Sequence, residues 1–365
     1  MSTNPSKKIL IILTGGTICS FADENGEQQA NAKKAETLIV KNFREGDSEF
    51  RSKSAVSFDT KRPLNILSEN MTVRHWNTLI NRLKTYDFSK YDGVIILHGT
   101  DTLAYTSSLL SLLLADINRP VFMVSSQLPL YEPKSNGNQN FKTAVEHIVK
   151  GIAPNVYAAY RNDWVDERGK ERSVMYIHYG AHLLQCESHS NNFYSSDMKP
   201  IEDGEFFEGI AAASGRPLLY ECGALKNCVL KIAPYVGLDY SRISLRGIKV
   251  VLHHTYHSST MSVNPYHAEV DIKKEAEINF SKDSIMYLKR RCDAANAELY
   301  IEPCNEKVTY RYKTTGIVIR SGVGTSWRTT SEMAYAKLLV GCALGLEKEK
   351  LQDFMDKEIN GEFIR

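Results

Sequence analysis

No stretch of this chain approaches the roughly 18 consecutive apolar residues of a membrane-spanning helix, so a membrane partner is not expected. Neither charge is in surplus: 45 basic and 43 acidic residues leave a formal net charge of +2. The lysines and arginines are also scattered, which argues against a surface dedicated to nucleic acid or lipid. The seven cysteines (Cys19, Cys186, Cys222, Cys228, Cys292, Cys304, Cys342) contain no C-x-x-C pair. An odd, dispersed set of this kind reads as reduced structural thiols in a cytoplasmic protein. Metal-ligand spacing is missing too. His178 and His182 lie at i, i+4, and His253, His254 and His257 cluster, but neither set has a Glu or Cys at a recognised distance, so no metal site is expected. There is no G-x-x-x-x-G-K-[ST] and no G-x-G-x-x-G, which argues against a nucleotide. Internal repeats and low-complexity segments are absent. Two lysines precede the apolar run Ile9–Leu13 in imitation of a leader, but that run is short and leads into Thr-Gly-Gly-Thr rather than a cleavage site.

What the chain does have is apolar runs of strand length: Ile9–Leu13, Gly93–Leu97, Val121–Val124, Val156–Ala159 and Lys249–Leu252. Helical patterns lie between them. TLAYTSSLLSLLLAD is too apolar for a surface helix, and Phe141–Ile152 is amphipathic. Strand–helix alternation implies βαβ units and an α/β fold with a parallel, flavodoxin- or Rossmann-like sheet. At 365 residues the chain exceeds what one core usually carries. A change of texture near Gly215 suggests an N-terminal domain over 1–215, a linker and start of the second domain over 216–245, and a C-terminal α/β domain over 246–365. Residues 19–62 are polar with little sustained periodicity and read as long mobile loops or insertions.

Two of the apolar runs stop at a glycine flanked by threonine, IILTGGTICS and IILHGTDT. Ligands of parallel sheets bind at the carboxyl ends of strands, so the two loops can converge on one crevice. Glycines at 15, 16 and 99 let backbone N–H groups approach a ligand. Such groups bind an oxyanion while a threonine oxygen attacks a carbonyl, and Asp101 beside Thr100 supplies a base. The combination suits acyl transfer. Each loop taken alone also reads as a strand-to-helix turn with Thr100 or Asp101 as N-cap.

Taken together and in order, TGGTI and HGTDT resemble the signature pair of the L-asparaginase family, closest to its intracellular type I branch. LNILSENMTVRHWNTL, VSSQLPL, SNGNQNFKTAVEHI, VLKIAPYVG and TTSEMAYAKLL resemble the family's other segments. The resemblance implies a larger N-terminal and a smaller C-terminal α/β domain. It further implies a homodimer or homotetramer whose site is completed across an interface. The implied reaction is cofactor-free hydrolysis of an amino-acid side-chain amide, asparagine to aspartate and ammonia, through an acyl-enzyme. By the same resemblance Thr14 is the nucleophile, Thr100 and Asp101 form the second catalytic group, and Ser68 meets the substrate's α-carboxylate. Glu69 faces its α-ammonium, while Gly99 and Ser126 line the pocket.

The chain departs from the family twice. Where the family carries a lysine, this sequence has Leu184 or Gln185, and no lysine occurs from Glu171 to Met198. Where the family carries a loop tyrosine, Cys19 to Asn42 contain none, and Glu27 stands near that place. Loss of a charged relay member costs about 10²–10⁴ in rate. These departures leave open a rebuilt relay using His182, His189 or Tyr179, a different amide substrate, or an amino-acid sensor that binds without turnover.

Overall fold

The structure, a computed structural model, describes residues 6–211, 218–263, 281–304 and 312–364; the expected boundary at Gly215 lies outside them. The chain divides into two compact units, Met1–Cys222 with Ile359–Gly361, and Gly223–Glu358 with Glu362–Arg365.

In the first unit the strands are β1 (Lys7–Leu13), β2 (Ser20–Ala22), β3 (Gln28–Ala30), β4 (Val56–Lys61), β5 (Gly93–Leu97), β6 (Val121–Val124), β7 (Val156–Val165), β8 (Glu171–Tyr179) and β9 (Lys199–Ile201). Seven of them form one sheet in the order β4-β1-β5-β6-β7-β8-β9. The first five run parallel. The centre is built from the continuous apolar runs, in which Ile9 to Leu13 and Val94 to Leu97 are fully buried, as a sheet covered on both faces requires. The edge departs from the expected parallel pattern. β7 continues six residues past Ala159 and folds back through β8 as an antiparallel hairpin, with β9 antiparallel beyond it. Its outer half alternates in burial, because one face there meets solvent.

Helices fill the crossovers. α1 (Ala32–Glu45) buries Ala32, Ala35, Ile39 and Phe43, and its N-cap Asn31 accepts a hydrogen bond from Lys34 N at 3.0 Å. This helix, β4 and the β2–β3 hairpin correct the reading of residues 19–62 as loops: four small or apolar positions on one stripe suffice when tertiary packing supplies the rest. α2 (Val73–Leu83) starts at a capping box between Thr72 and His75 and buries Trp76, Leu79, Ile80 and Leu83. α3 (Leu103–Leu113) is buried nearly all round, as its composition requires. α4 (Gly137–Lys150) ends at Gly151, whose left-handed φ of 90° lets its N–H bond His147 O at 3.1 Å.

The second unit holds a four-stranded, all-parallel sheet of β10 (Val229–Ile232), β11 (Val250–His254), β12 (Glu298–Cys304) and β13 (Gly324–Trp327), in that order. The helix Ser331–Ala343 packs on β10, β11 and β12. Among the described residues, no helix is long and apolar enough to cross a membrane.

Candidate active site

β1 and β5 lie side by side with Leu13 opposite Leu97, so the segments that follow them leave the sheet together. The ladder runs one residue further, with Thr14 N donating to Leu97 O at 3.0 Å. Gly15 then bridges to Ile66: Ile66 N donates to Thr14 O at 3.1 Å, and Gly16 N donates to Ile66 O at 2.7 Å. This third segment delivers the 3₁₀ turn Ser68–Asn70 to the same place. Gly15 and Gly16 take φ of 117° and 80°, conformations that side chains with a Cβ rarely adopt. A Cβ on Gly16 would overlap the Gly99 backbone, and one on Gly99 would overlap the Ser68 hydroxyl. The three segments therefore meet backbone to backbone, through glycine.

Around this crossing the hydroxyls fall into two groups. Thr14 is only 2% exposed, and its Oγ1 donates to Leu97 O at 2.9 Å. Ser126 is fully buried and donates to Leu128 O at 2.6 Å. Two of the four expected site hydroxyls are thus spent on backbone carbonyls. Thr17 and Thr100 behave differently. Each follows a crossing glycine and is half-buried, and neither hydroxyl has a hydrogen-bond partner among the described residues. The Thr100 N–H is likewise unpaired among them. Reading the sequence passed over Thr17. The signal that could have found it is its place after two glycines at the loop tip, whereas Thr14 merely continues a buried strand.

Ser68 and Asp101 form a pair. Ser68 Oγ donates to Asp101 Oδ2 at 2.6 Å and accepts from Asp101 N at 3.2 Å, while Thr102 Oγ1 donates to Ser68 O at 3.0 Å. The Asp101 carboxylate and Glu69 are both exposed at this rim. α3 begins just beyond, with Thr102 at its N-cap, and its dipole favours negative charge at Thr100 and Asp101. Behind the loop, His98 is fully buried, with Nδ1 2.8 Å from Gly99 O. Burial lowers its pKa to about 4, so the ring is neutral near pH 7.

Of the two residues expected to stand in for the family's lysine, Leu184 is exposed, while the Gln185 amide donates through Nε2 to the Asp101 backbone carbonyl. A neutral group therefore holds the Asp101 loop. Of the proposed substitutes, His182 binds Asp197 Oδ2 through Nδ1 at 2.6 Å and is largely buried. His178, which was not among them, bonds Ser195 at 2.9 Å, and burial lowers its pKa to about 4. In the loop after Thr17, Glu27 is exposed at the turn of the β2–β3 hairpin. The tyrosine that packs on this hairpin is Tyr131, from the loop after β6: it accepts from Gln28 Nε2 at 2.8 Å, and its ring lies 5.8 Å from that of Phe21. Two of the C-terminal histidines are engaged within their own unit, His253 with Tyr240 OH at 2.8 Å and His254 with Glu302 at 3.2 Å.

Comparison with known proteins meets this geometry from the other side. An L-asparaginase of Thermococcus kodakarensis is 37% identical over 153 residues, which are 42% of this chain and 44% of that protein. A subunit of the glutamyl-tRNA(Gln) amidotransferase of Thermoplasma acidophilum is 32% identical over 139 residues, 38% of this chain and 32% of that protein. The matched segments thus span less than half the length of either relative. In fold, the solved thermostable L-asparaginase of Thermococcus kodakarensis superposes with a TM-score of 0.73 over 98% of this chain and 99% of its own, at 23% identity. The family model described as "Asparaginase, N-terminal" matches residues 8–203, more than half of the sequence and the whole of the loop crossing, and the chain therefore belongs to the asparaginase family.

Proposed function

We propose that the crossed loops hydrolyse the side-chain amide of an amino acid, with L-asparagine as the reference substrate, through an ester on Thr17 rather than on Thr14. The observation that carries this reading is the pair of unpartnered, half-exposed hydroxyls of Thr17 and Thr100 on either side of the Gly16–Gly99 contact. Thr17 Oγ1 attacks the amide carbon, and its proton passes toward Thr100 and Asp101. The C–N bond then breaks and ammonia leaves with a proton. Water hydrolyses the ester, releasing a carboxylate and restoring the hydroxyl. The unpaired Thr100 N–H and the N-terminus of α3 stabilise the developing oxyanion.

Asp101 and Glu69 offer the exposed negative charge that an α-ammonium seeks. Ser68 gives its only proton to Asp101, so its contact with an α-carboxylate requires that bond to switch. With Gln185 in place of a cation, the relay is neutral at that point, and turnover is slow by the standards of general acid–base catalysis.

Purified protein is expected to release ammonia from L-asparagine, and Asp101→Asn to lower that rate by about 10²-fold or more. An Asp101→Asn variant that still turns over at the wild-type rate would remove the second catalytic group from the reading. Glutamine and other amides in the same assay define which side chain is preferred.

A further inference from the structure

An asparagine followed by glycine is chemically weak, because glycine has no Cβ to shield its backbone nitrogen from the side-chain carbonyl before it. The chain holds three such pairs, Asn25–Gly26, Asn136–Gly137 and Asn360–Gly361. The fold locks two of them. Asn136 is fully buried; its Oδ1 accepts from Gln127 N at 3.0 Å and its Nδ2 donates to Arg161 O at 2.9 Å. The Gly137 nitrogen is engaged as well, donating to Ser135 Oγ at 3.2 Å. Asn360 is buried too, and its Nδ2 donates to Ser111 O at 2.8 Å and to Asn155 Oδ1 at 3.1 Å.

The pair at 25–26 is different. Asn25 and Gly26 are both exposed in the turn of the β2–β3 hairpin, and the Asn25 side chain has no hydrogen-bond partner among the described residues. Gly26, at a φ of 84°, has open space around its Cα. One bond restrains its nitrogen, which donates to Asp23 O at 3.1 Å. That bond lies in an exposed turn, where local opening needs no loss of the sheet.

We propose that Asn25 is a site of spontaneous deamidation to aspartate and isoaspartate in the folded protein, and that Asn136 and Asn360 are not. The Gly26 nitrogen gives up its proton to solvent base and attacks the Asn25 side-chain carbonyl carbon. A C–N bond forms, the bond to Nδ2 breaks, and ammonia leaves with a proton, closing a succinimide ring. Water then opens the ring. Attack at the side-chain carbonyl gives aspartate; attack at the backbone carbonyl gives isoaspartate, with the chain running through the former side chain. The balance is one amide and one water to one carboxylate and ammonia. Asp23 Oδ1 holds Asn25 N and Glu27 N at 2.9 Å each. Isoaspartate lengthens the main chain between those two donors, and either product adds a carboxylate beside Asp23, Glu24 and Glu27. The hairpin that follows Thr17 is thereby loosened at its tip. The ring closure itself uses no group of the active site.

The test is peptide mapping of the folded full-length protein during incubation in mildly alkaline buffer, with isoaspartate identified by isoaspartyl methyltransferase labelling. The expected result is steady loss of the unmodified Asn25 peptide, while the Asn136 and Asn360 peptides persist; in denaturant all three convert. Gly26→Ala is expected to slow conversion at Asn25 severalfold, and Asn25→Gln to abolish it. Thr17→Ala is expected to convert Asn25 at the wild-type rate. The proposal is overturned if Asn25 persists in the folded protein while it converts in denaturant, or if Asn136 or Asn360 converts as fast as Asn25 in the folded state. Loss of the conversion in Thr17→Ala would overturn the intramolecular route. The wild-type map decides the site even where a variant does not fold.

Discussion

Between Thr14 and Thr17 the backbone turns through two glycines with positive φ, and that turn separates a buried threonine from a half-buried one. Thr14 lies in register with β1 and spends its proton on Leu97 O, whereas Thr17 begins the next turn with its hydroxyl unengaged. A motif read as a string of letters does not distinguish the two threonines; the dihedral angles do. Ser68 and Asp101 illustrate the converse. The sequence singled out both, but their 2.6 Å bond depends on the pairing of Ile66 with Gly15, a contact that no local pattern announces. The missing lysine was legible only as an absence. From that stretch Gln185 reaches the Asp101 carbonyl. If the absence of a cation there limits the rate, Gln185→Lys should raise ammonia release at least tenfold; steady-state rates for the two proteins compare this directly, and an unchanged kcat would mean the relay does not run past position 185.

At the scale of elements, the continuous apolar strands and the apolar helix α3 were readable because burial on all sides leaves no polar positions. α1 was not readable: its apolar residues are interspersed with lysine, glutamate, threonine, asparagine and arginine, and only its small buried stripe marks it as a helix. The antiparallel β7–β8 edge was also hidden, since its outer half alternates in burial where the inner half does not. The loop crossing makes a prediction at this scale. Gly16→Ala combines a left-handed φ with overlap on the Gly99 backbone, and should cost about 2–4 kcal/mol and most of the activity. Gly26→Ala, at a similar φ of 84° in the β2–β3 turn but with open space around it, should cost only about 1 kcal/mol and spare the activity. Denaturant midpoints and ammonia release measured on both variants check this; equal losses would contradict the crossing as the decisive constraint.

For the whole molecule, alternation of strands and helices implied a parallel α/β sheet, and the length of the chain implied two domains. The all-parallel second sheet was legible from runs such as Lys249–Leu252. Buried polar groups were not. Lys337 and Glu362 form an ion pair with both side chains fully buried, further satisfied by the carbonyls of Met355 and Lys357; removing one partner of such a pair typically costs about 3–5 kcal/mol. Three histidines, His98, His178 and His253, are buried with pKa values lowered by burial from 6.5 to about 4. Unfolded, each ring protonates near its ordinary value. Between pH 6.5 and about 4 the unfolded chain therefore binds more protons, and stability falls as pH falls. Each ring contributes on the order of 3 kcal/mol to that loss by pH 4 and nothing above about pH 7.5. Thermal melts from pH 7.5 to 4.5 should show Tm dropping steadily below pH 6.5; a flat profile would mean these rings meet acid equally in both states.

The most direct measurement is ammonia release from L-asparagine by the wild type, Thr17→Ala and Thr14→Val in parallel. Thr14→Val keeps the shape of the side chain and removes one buried hydrogen bond, worth about 1 kcal/mol. The account predicts release by the wild type, activity within a few-fold of it for Thr14→Val, and none above background for Thr17→Ala. Undiminished release by Thr17→Ala, or loss confined to a folded Thr14→Val, would contradict it.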